Sequence, residues 1–422
     1  MTVRVKGIKG LMRILHILHR SVPGTHGYAM RSREIVKSQL EKGLEPIVIT
    51  SPSQAPLGEL DAEGSEIIEG IRYFRTCGNV LKPSTEVSDT SAVKSALRIA
   101  QNVFLLSKTL KLARGYKPAV IHAHSPFTCG LIGNLVGKIT GIPTVYEIRG
   151  IWEDSHVGRY GLSERSMRYR GVRGLENVAL KGADLCCAIC EALKEEIVSR
   201  GVPESRTVIV PNGVDLREFV PGPPDEALKK RLGFEGCTVV GYIGSFFHYE
   251  GLDLLVKALH LLAEEYPLLR LLLVGDGESM PILTEMADSH NIRDRIVFTG
   301  RIPHAQIDDF YRLYDFMILP RRNTRETRLV TPLKPMEIMA MQKSLICSDI
   351  GGHREIVQDG MNGMLFRSED AEDLASKCRI LLDGPDFRRE LGMKGYNWVV
   401  AQRSWDTLAN RYIDIYRNLA HA

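Results

Sequence analysis

The repeating rhythm of this chain constrains its fold more than any other feature. Short apolar runs end in turns and alternate with longer amphipathic segments, a pattern typical of parallel α/β units. The first series of predicted strands covers residues 12–18, 45–50, 66–75, 119–124, 144–148 and 185–189. The second series covers residues 238–244, 269–275, 295–299, 316–319 and 345–348. The chain therefore predicts an α/β fold built twice.

Two series of this kind predict two domains. A chain of 422 residues is too long for one hydrophobic core, and a composition with 44% hydrophobic residues lets each domain bury its own. We place the first domain at residues 1–205 and the second at residues 206–403. Apolar residues at helical spacing in 404–422 predict a final helix that packs back on the first domain.

Open parallel sheets bind ligands at the carboxyl ends of their strands. Two Rossmann-like domains that face each other across a cleft would hold one partner on each side. This arrangement favours an enzyme with two substrates, such as a transferase.

The net charge of +4 comes from 55 basic and 51 acidic residues, which is too balanced for a dedicated nucleic-acid-binding protein. The eight cysteines include no paired Cys-x-x-Cys sets, so we expect neither a zinc site nor disulfides. No apolar run is long enough to span a bilayer. We therefore expect a cytoplasmic protein, and the basic start with Arg4, Lys6 and Lys9 leaves peripheral membrane contact open.

The segment 331–355 carries the strongest signal for ligand chemistry. Thr331 and Pro332 predict a helix start, and a helix N-terminus with Lys334 beside it can hold a phosphate. Glu337 lies three residues later on nearly the same helix face, where a carboxylate can accept hydrogen bonds from both ribose hydroxyls. An ordinary exposed Lys–Glu pair is the competing interpretation.

Glycines at predicted strand ends mark further candidate donor contacts. Gly244, followed by Ser245, and Gly275 end two strands, and Arg301 follows another strand end. Turn formation alone would also explain these glycines. Four arginines, among them Arg325, lie just before the predicted phosphate helix and suit a diphosphate.

Two strand ends in the first domain are polar. Glu147 and Arg149 lie at the end of one strand, and His122 and His124 close another. We expect Glu147, Arg149 and His124 to contact a transferred sugar. We also expect the alternation of His122 and His124 to separate them onto opposite faces of the strand, which argues against a metal pair.

Several stretches together resemble one family. They are VIVPNGVDLREF, GYIGSFFHYEGLDLLVKAL, LLLVGDG, IVFTGRIPH and TPLKPMEIMAMQKSLICSDIGGHREIVQDGMNGMLF. From Met12 onward the chain resembles the family-four retaining glycosyltransferases of the GT-B fold. YEIRGIWED, GSFFHYEGLD and the stretch from PRRNTR to GGHREIV resemble, more narrowly, a branch of bacterial exopolysaccharide enzymes associated with exosortase systems.

The chain departs from the family pattern at several charged positions. The family often has Arg and Lys in the second-domain glycine loop, where this chain has Ser245 and Glu250. We expect Lys334 and Arg325 to take over that charge. The family commonly carries two glutamates eight residues apart, but only the second, Glu337, is present, and Leu329 occupies the first position. Arg149 stands where a sugar-contacting histidine is common.

The resemblance implies transfer of a sugar from a nucleotide sugar with retention at the anomeric carbon, without a metal or other cofactor. Candidate catalytic residues are Glu147, Arg149, His124 and Lys334. Candidate donor-binding residues are Gly244, Ser245, Gly275, Arg301, Arg325, Thr331, Lys334 and Glu337. The implied acceptor is a glycan or a polyprenyl-linked glycan at the inner membrane face. A sugar-nucleotide 2-epimerase of the same fold and an inactive scaffold that binds nucleotide sugars remain alternatives.

Overall fold

The chain divides into two compact units in a computed structural model that describes residues 11–24, 26–76, 92–154, 163 and 165–421. The first unit is Met1–Pro211 together with Trp405–Ala422, and the second is Asn212–Ser404. Each unit contains its own sheet with helices packed against it.

The first unit is built on an eight-stranded sheet with the order β3-β4-β2-β1-β5-β6-β7-β8. Its strands are β1 (Arg13–Leu18), β2 (Glu45–Thr50), β3 (Ser65–Ile68), β4 (Ile71–Arg75), β5 (Val120–His124), β6 (Thr144–Ile148), β7 (Leu185–Ala188) and β8 (Thr207–Ile209). The strands pair in parallel except β3, which is antiparallel to β4. Central strands are buried on both faces, which explains why most of their residues are apolar.

Helices connect the strands of the first unit. They are α1 (Gly27–Glu41), α2 (Ala92–Tyr116), α3 (Phe127–Thr140), α4 (Met167–Gly182) and α5 (Glu191–Ser199). Right-handed crossovers place α1 on one face of the sheet and α2, α3 and α4 side by side on the other, because the strand order reverses between β1 and β5.

The second unit is built on a six-stranded parallel sheet with the order β11-β10-β9-β12-β13-β14. Its strands are β9 (Thr238–Ile243), β10 (Leu269–Val274), β11 (Ile296–Phe298), β12 (Phe316–Leu319), β13 (Ser344–Ser348) and β14 (Met364–Phe366). Its helices are α6 (Glu226–Arg231), α7 (Asp253–Leu262), α8 (Met280–Ser289), α9 (Ile307–Leu313), α10 (Arg325–Leu329), α11 (Lys334–Ala340), α12 (Gly351–Arg354), α13 (Ala371–Asp383) and α14 (Pro385–Gln402).

The final helix, α15 (Trp405–His421), lies in the first unit. It packs against α1 and β5, and its residues Trp405, Leu408, Tyr412 and Tyr416 are buried in the same core as Ile14. The apolar residues of α15 recur at helical spacing, which gives the helix one face to bury.

Some elements differ from the sequence predictions. Residues 66–75 form a β3–β4 hairpin instead of one strand, because Glu69 and Gly70 take positive φ values and turn the chain back. The boundary between the units lies at 211 rather than 205, because β8 pairs with β7 in the first sheet. β8 and β14 were not predicted, since three residues carry too little pattern to read.

Among the helices in the described part of the chain, none combines the length and hydropathy that a bilayer span requires. The basic start with Arg4, Lys6 and Lys9 lies outside the described residues.

Candidate functional site

The second sheet reverses its strand order between β9 and β12, and such a reversal is where open α/β sheets place a ligand. The chain leaves β9 at Gly244 and leaves β12 at Pro320, so the residues that follow share the carboxyl edge of the sheet. A hydrogen bond from the Arg322 amide to the Tyr249 carbonyl, at 2.9 Å, joins the two loops. We call this region the switch-point site and define it by Gly244, Ser245, Glu250, Arg321, Lys334 and Glu337.

Two glycines are required for the close packing at the switch-point site. Gly275, at the end of β10, has φ of 135°, and a Cβ there would collide with the carbonyl oxygen of Gly244. Gly244 has φ of 145°, and a Cβ there would collide with the side chain of Lys334. The absence of a side chain at both positions therefore lets the ends of β9 and β10 meet and leaves room for Lys334.

One buried carboxylate at the site is shared by two cationic side chains. Glu250 is 2% exposed, and Arg321 donates to it from Nε at 3.1 Å and from Nη2 at 2.9 Å. The Nζ of Lys334 lies 3.5 Å from the Oε1 of Glu250. Burial disfavours the ionised carboxylate, but the attraction of Arg321 and then of Lys334 outweighs burial and lowers the pKa of Glu250 to about 2. The three side chains together carry a net positive charge at neutral pH.

Lys334 is the more accessible of the two cations. Its side chain is 21% exposed, against 12% for Arg321, and its Nζ lies over the ring of Tyr242 at 5.0 Å from the centroid. The Tyr242 hydroxyl donates to the Ser245 carbonyl at 3.3 Å, which fixes the ring at the end of β9. An ammonium group on a flexible stem, held by one long ion pair, can turn to a phosphate oxygen without leaving a buried charge unpaired.

A neutral histidine lies near this cluster. His353 on α12 is fully buried, and its Nδ1 lies 2.9 Å from the Ser348 carbonyl, to which it donates. Burial, followed by the nearby Arg321 guanidinium, lowers the pKa of His353 to about 3. His353 therefore adds no charge to the site at neutral pH.

Glu337 lies one turn after Lys334 on α11. The hydroxyl of Tyr311, on α9, donates to its Oε2 at 2.7 Å. Burial, followed by the charge of Glu337, raises the pKa of Tyr311 well above its usual range, so the phenol stays a neutral donor. Within the described residues no hydrogen bond is made by Oε1 of Glu337, which leaves that oxygen able to accept from a vicinal diol such as a ribose.

The predicted helix start at Thr331 is wrong. The helix α11 begins at Lys334, and Thr331 is buried, with its carbonyl accepting from the Nδ2 of Asn212 at 2.8 Å. Pro335, in the first turn of α11, supplies the fixed φ that the sequence analysis assigned to Pro332. Contact of Thr331 with a donor therefore stays a prediction.

The remaining predicted donor contacts are Ser245, Gly275, Arg301 and Arg325. Ser245 is exposed directly after Gly244, and the Gly275 amide donates to the Gly300 carbonyl at 3.0 Å. Arg301 follows that carbonyl, with a side chain that is 84% exposed. Arg325 begins α10 and is half-buried, but the arginine that pairs with Glu250 is Arg321. Contacts of Arg301 and Arg325 with a donor therefore stay predictions.

The first unit holds a second buried glutamate, Glu147, at the end of β6. Its Oε1 accepts from Arg31 Nε at 3.1 Å and from Arg149 Nε at 2.6 Å, and its Oε2 accepts from the Tyr412 hydroxyl. Burial opposes ionisation, but Arg31 and then Arg149 hold the pKa of Glu147 well below its usual range. Arg31 also donates to the carbonyls of Val210 and Pro211. These bonds join α1, β6 and α15.

Three histidines extend this buried network, and the predicted separation of His122 and His124 onto opposite faces is wrong. His122 and His124 share one face of β5, with ring centroids 4.0 Å apart, because side chains two residues apart on a strand point the same way. His16 on β1 accepts at Nδ1 from His124 Nε2 at 3.0 Å and donates from Nε2 to Gln39 at 2.9 Å. Arg149 donates to the other nitrogen of His124.

The nitrogens of His16, His122 and His124 lie close enough together to share a metal ion. Their hydrogen bonds and the two neighbouring guanidinium groups disfavour a cation at this place. Burial lowers the pKa of His16 to about 4 and that of His124 to about 3, so both are neutral at pH 7.

Glu147, Arg149 and His124 are each 5% exposed or less. Their bonds to Arg31, Tyr412 and His16 favour a structural role at the join of sheet and helices. Contact of these three residues with a sugar stays a prediction, and the static geometry does not support it.

Sequence reasoning missed the partners that complete both clusters. Arg31 and Tyr412 meet Glu147 from positions 116 and 265 residues away. Tyr311 meets Glu337 across 26 residues. A single sequence contains no signal for such pairings, because each partner lies on an unremarkable helix position.

Family comparisons match most of the chain. Residues 26–218 match the model described as Glycosyltransferase Family 4. Residues 224–398 match the model described as Glycosyl transferases group 1. The two matches divide at almost the same place as the two structural units.

Individual proteins are similar over most of their length. The alpha-maltose-1-phosphate synthase of Mycolicibacterium smegmatis is 25% identical over 345 residues, covering 75% of this chain and 83% of its own. The sucrose-phosphate synthase of Thermosynechococcus elongatus superposes with a TM-score of 0.74 at 20% identity, covering 97% of this chain and 99% of its own. HepE of Anabaena, solved with UDP and glucose, superposes with a TM-score of 0.71 at 18% identity, covering 96% and 99%.

Proposed function

We propose, from the premise that this chain is a glycosyltransferase of the GT-B fold, that it binds a nucleoside diphosphate sugar at the switch-point site and transfers the sugar to an acceptor. One observation carries the proposal. Lys334 and Glu337 lie one turn apart beside the point where the second sheet reverses its strand order, and the missing side chain of Gly244 leaves room for Lys334 there.

Three charged residues of the site have a role in donor binding. Lys334 and Arg321 attract the diphosphate, and Glu337 accepts hydrogen bonds from the ribose, with Tyr311 holding its carboxylate in place. Ser245, Gly275 and Arg301 lie on the neighbouring strand ends, where the base and the far side of the donor would contact the protein. Because HepE is solved with UDP and glucose, uridine is the first base to test.

The chemistry follows from the charge that develops during transfer. The bond from the anomeric carbon to the diphosphate breaks, and the acceptor oxygen bonds to that carbon from the same face, so the anomeric configuration is retained. The acceptor proton passes to the departing diphosphate oxygen. Lys334 stabilises the departing diphosphate, because a fixed cation at the leaving group lowers the barrier without solvent reorganisation. No metal is needed in this scheme, since Lys334 and Arg321 supply the positive charge.

The acceptor in this proposal is a glycan or a polyprenyl-linked glycan of exopolysaccharide biosynthesis, met at the cytoplasmic face of the membrane. The support is the resemblance of YEIRGIWED and GSFFHYEGLD to the exosortase-associated branch. The basic start with Arg4, Lys6 and Lys9 adds attraction to anionic lipid.

A transfer assay with purified protein tests this function. Nucleotide sugars are supplied with and without a polyprenyl-linked glycan extract, and the release of nucleoside diphosphate and the anomeric configuration of the product are measured. We expect release that depends on the acceptor, an α-linked product from an α-linked donor, and loss of release in Glu337→Ala. Conversion of the donor sugar without any acceptor would show the epimerase instead, and donor binding with no turnover would show the scaffold.

A further inference from the structure

The outer surface of α2, α3 and α4, over the side chains that the structure describes, carries positive charge with no exposed carboxylate. The three helices contain ten Lys and Arg residues in their sequences. Among the side chains that the structure describes, six of these are exposed, namely Lys111, Arg114, Lys138, Arg168, Arg170 and Lys181. Their only acidic residue is Glu176, which is fully buried and accepts from the Tyr146 hydroxyl. The chain as a whole has 51 acidic against 55 basic residues, so this surface departs sharply from the average. Solvated helix surfaces normally mix both signs.

The same surface exposes large apolar side chains. On α2, Val103 is 60% exposed and Phe104 is 46% exposed, and on α3 Ile139 is 49% exposed. The others are Ile99, Leu135, Met167, Leu175 and Val178. Three pairs, Ile99 and Val103, Leu135 and Ile139, and Leu175 and Val178, lie three or four residues apart on helices that pack against the sheet with their opposite faces. Such side chains are not needed for the fold of the first unit.

The fold gathers part of the charge at one edge of this surface. The helices α2, α3 and α4 run opposite to β5, β6 and β7, which are neighbours in the sheet, so their last turns lie at the same sheet edge. Exposed basic side chains near those last turns are Lys111, Arg114, Lys138 and Lys181. Cations at helix C-termini also favour the helix dipole, but the dipole does not account for the exposed apolar side chains beside them.

We infer that this three-helix surface docks the protein on an anionic lipid bilayer. Lipid phosphates pair with the basic side chains, while the apolar side chains enter the boundary between headgroups and acyl chains. The outer surface of α2, α3 and α4 offers both kinds of side chain. A nucleic acid would leave the aliphatic side chains unused, and protein interfaces are depleted in lysine. The inference names the surface for the membrane contact in the proposed function. Its test does not require transfer activity, so either can fail alone.

Vesicle co-sedimentation of the full chain tests the inference. We expect binding to vesicles with 30% phosphatidylglycerol, little binding to pure phosphatidylcholine, and weaker binding at high salt. Lys111→Glu with Lys138→Glu should reduce the partition coefficient at least tenfold, and Val103→Ser with Ile139→Ser about fivefold. The control, Lys394→Glu with Arg411→Glu, makes the same change in net charge on exposed positions elsewhere and should stay within twofold of wild type.

Three results would overturn the inference. One is equal loss of binding in the control and the surface variants. Another is loss of binding only when Arg4, Lys6 and Lys9 are changed to Gln. The third is a lipid-free dimer in sedimentation velocity that the surface variants dissociate, which would make a second copy of the chain the occupant. Circular dichroism of each variant checks that it is folded.

Discussion

Each unit buries a glutamate between two cationic side chains, but the two clusters differ in their access to solvent. Around Glu147, Arg31 and Arg149 are themselves buried, and Tyr412 from α15 covers the remaining oxygen. Around Glu250, Arg321 is mostly buried while Lys334 is 21% exposed. The cluster around Glu147, which is closed to solvent, therefore has a structural role and joins elements of the fold. In the cluster around Glu250, Lys334 reaches solvent and can exchange its ion pair with Glu250 for one with a ligand.

The buried cluster around Glu147 should show the largest effect on the free energy of unfolding. Glu147→Ala leaves Arg31 and Arg149 buried without a counter-charge, and we expect a loss of about 3–5 kcal/mol in the free energy of unfolding. Urea denaturation measures it. Glu45→Ala removes the exposed ion pair with Arg13 and should cost less than about 1 kcal/mol. A loss as small as that of Glu45→Ala would show that the network around Glu147 is not structural.

Low pH should destabilise the first unit more than the second. His16, His19, His122 and His124 have lowered pKa values in the folded first unit, whereas the second unit has His353 alone among the described residues. Between about pH 6.5 and 4 these histidines are protonated in the unfolded chain but stay neutral in the folded chain. The free energy of unfolding therefore falls as the pH falls.

Each such histidine contributes about 1.4 kcal/mol per pH unit, and Glu176, whose pKa burial raises to about 7, offsets one of them. Hydrogen exchange resolved by peptide, at pH 7 and pH 5.5, should therefore show the first unit opening well before the second. Equal sensitivity of the two units would contradict the assigned neutral histidines.

A substitution in the cluster around Glu250 should have a large effect on the binding of a nucleoside diphosphate. Lys334→Gln removes the accessible cation, and we expect the affinity for a nucleoside diphosphate to fall about 30- to 100-fold, while unfolding changes little. Calorimetry measures both the affinity and the heat. Lys394→Gln, an exposed lysine on α14, is the control and should bind within twofold of wild type.

Neutralising Glu250 should increase the affinity of the site for a diphosphate. Glu250→Gln keeps the shape of the side chain but removes the negative charge that competes with a diphosphate for Lys334. We expect about tenfold tighter binding, with a steeper dependence on salt. Weaker binding in Glu250→Gln would mean that the carboxylate positions Lys334 and does not compete with the ligand.

The smallest effect concerns Tyr311, which positions Glu337. Tyr311→Phe removes the hydrogen bond to Oε2, and we expect three- to tenfold weaker binding of a nucleoside diphosphate. A 2′,3′-dideoxy analogue should bind both proteins equally, because it lacks the ribose hydroxyls. Tyr266→Phe removes a comparable bond, to Asp383, and serves as the control. Equal weakening for the dideoxy analogue would indicate a general structural role.

The sequence predicts the strand series and the two-domain fold well, because buried parallel strands such as β9, β10 and β12 are largely apolar and are bounded by turns. Lys334 and Glu337 could also be placed together, since both lie within one helical turn. Local pattern was misleading at Thr331, where a proline suggested a helix start three residues too early.

The rest of the two clusters could not be predicted from local pattern. The pairing of Glu250 with Arg321 depends on β9 and β12 being neighbours in the sheet, although they are separated by two intervening strands in sequence. The sealing of Glu147 depends on α15 returning across the whole chain to reach β5 and α1. Long-range contacts of this kind follow from topology, which a single sequence does not encode residue by residue.

Calorimetric titration measures whether the switch-point site binds the donor. A panel of nucleoside diphosphates and nucleotide sugars is titrated without metal into wild type, Glu337→Ala and Glu147→Gln. We predict one clear binder whose affinity falls strongly in Glu337→Ala and persists in folded Glu147→Gln. Unchanged affinity in Glu337→Ala, or loss of binding only in Glu147→Gln, would contradict the account and move the donor site to the first unit.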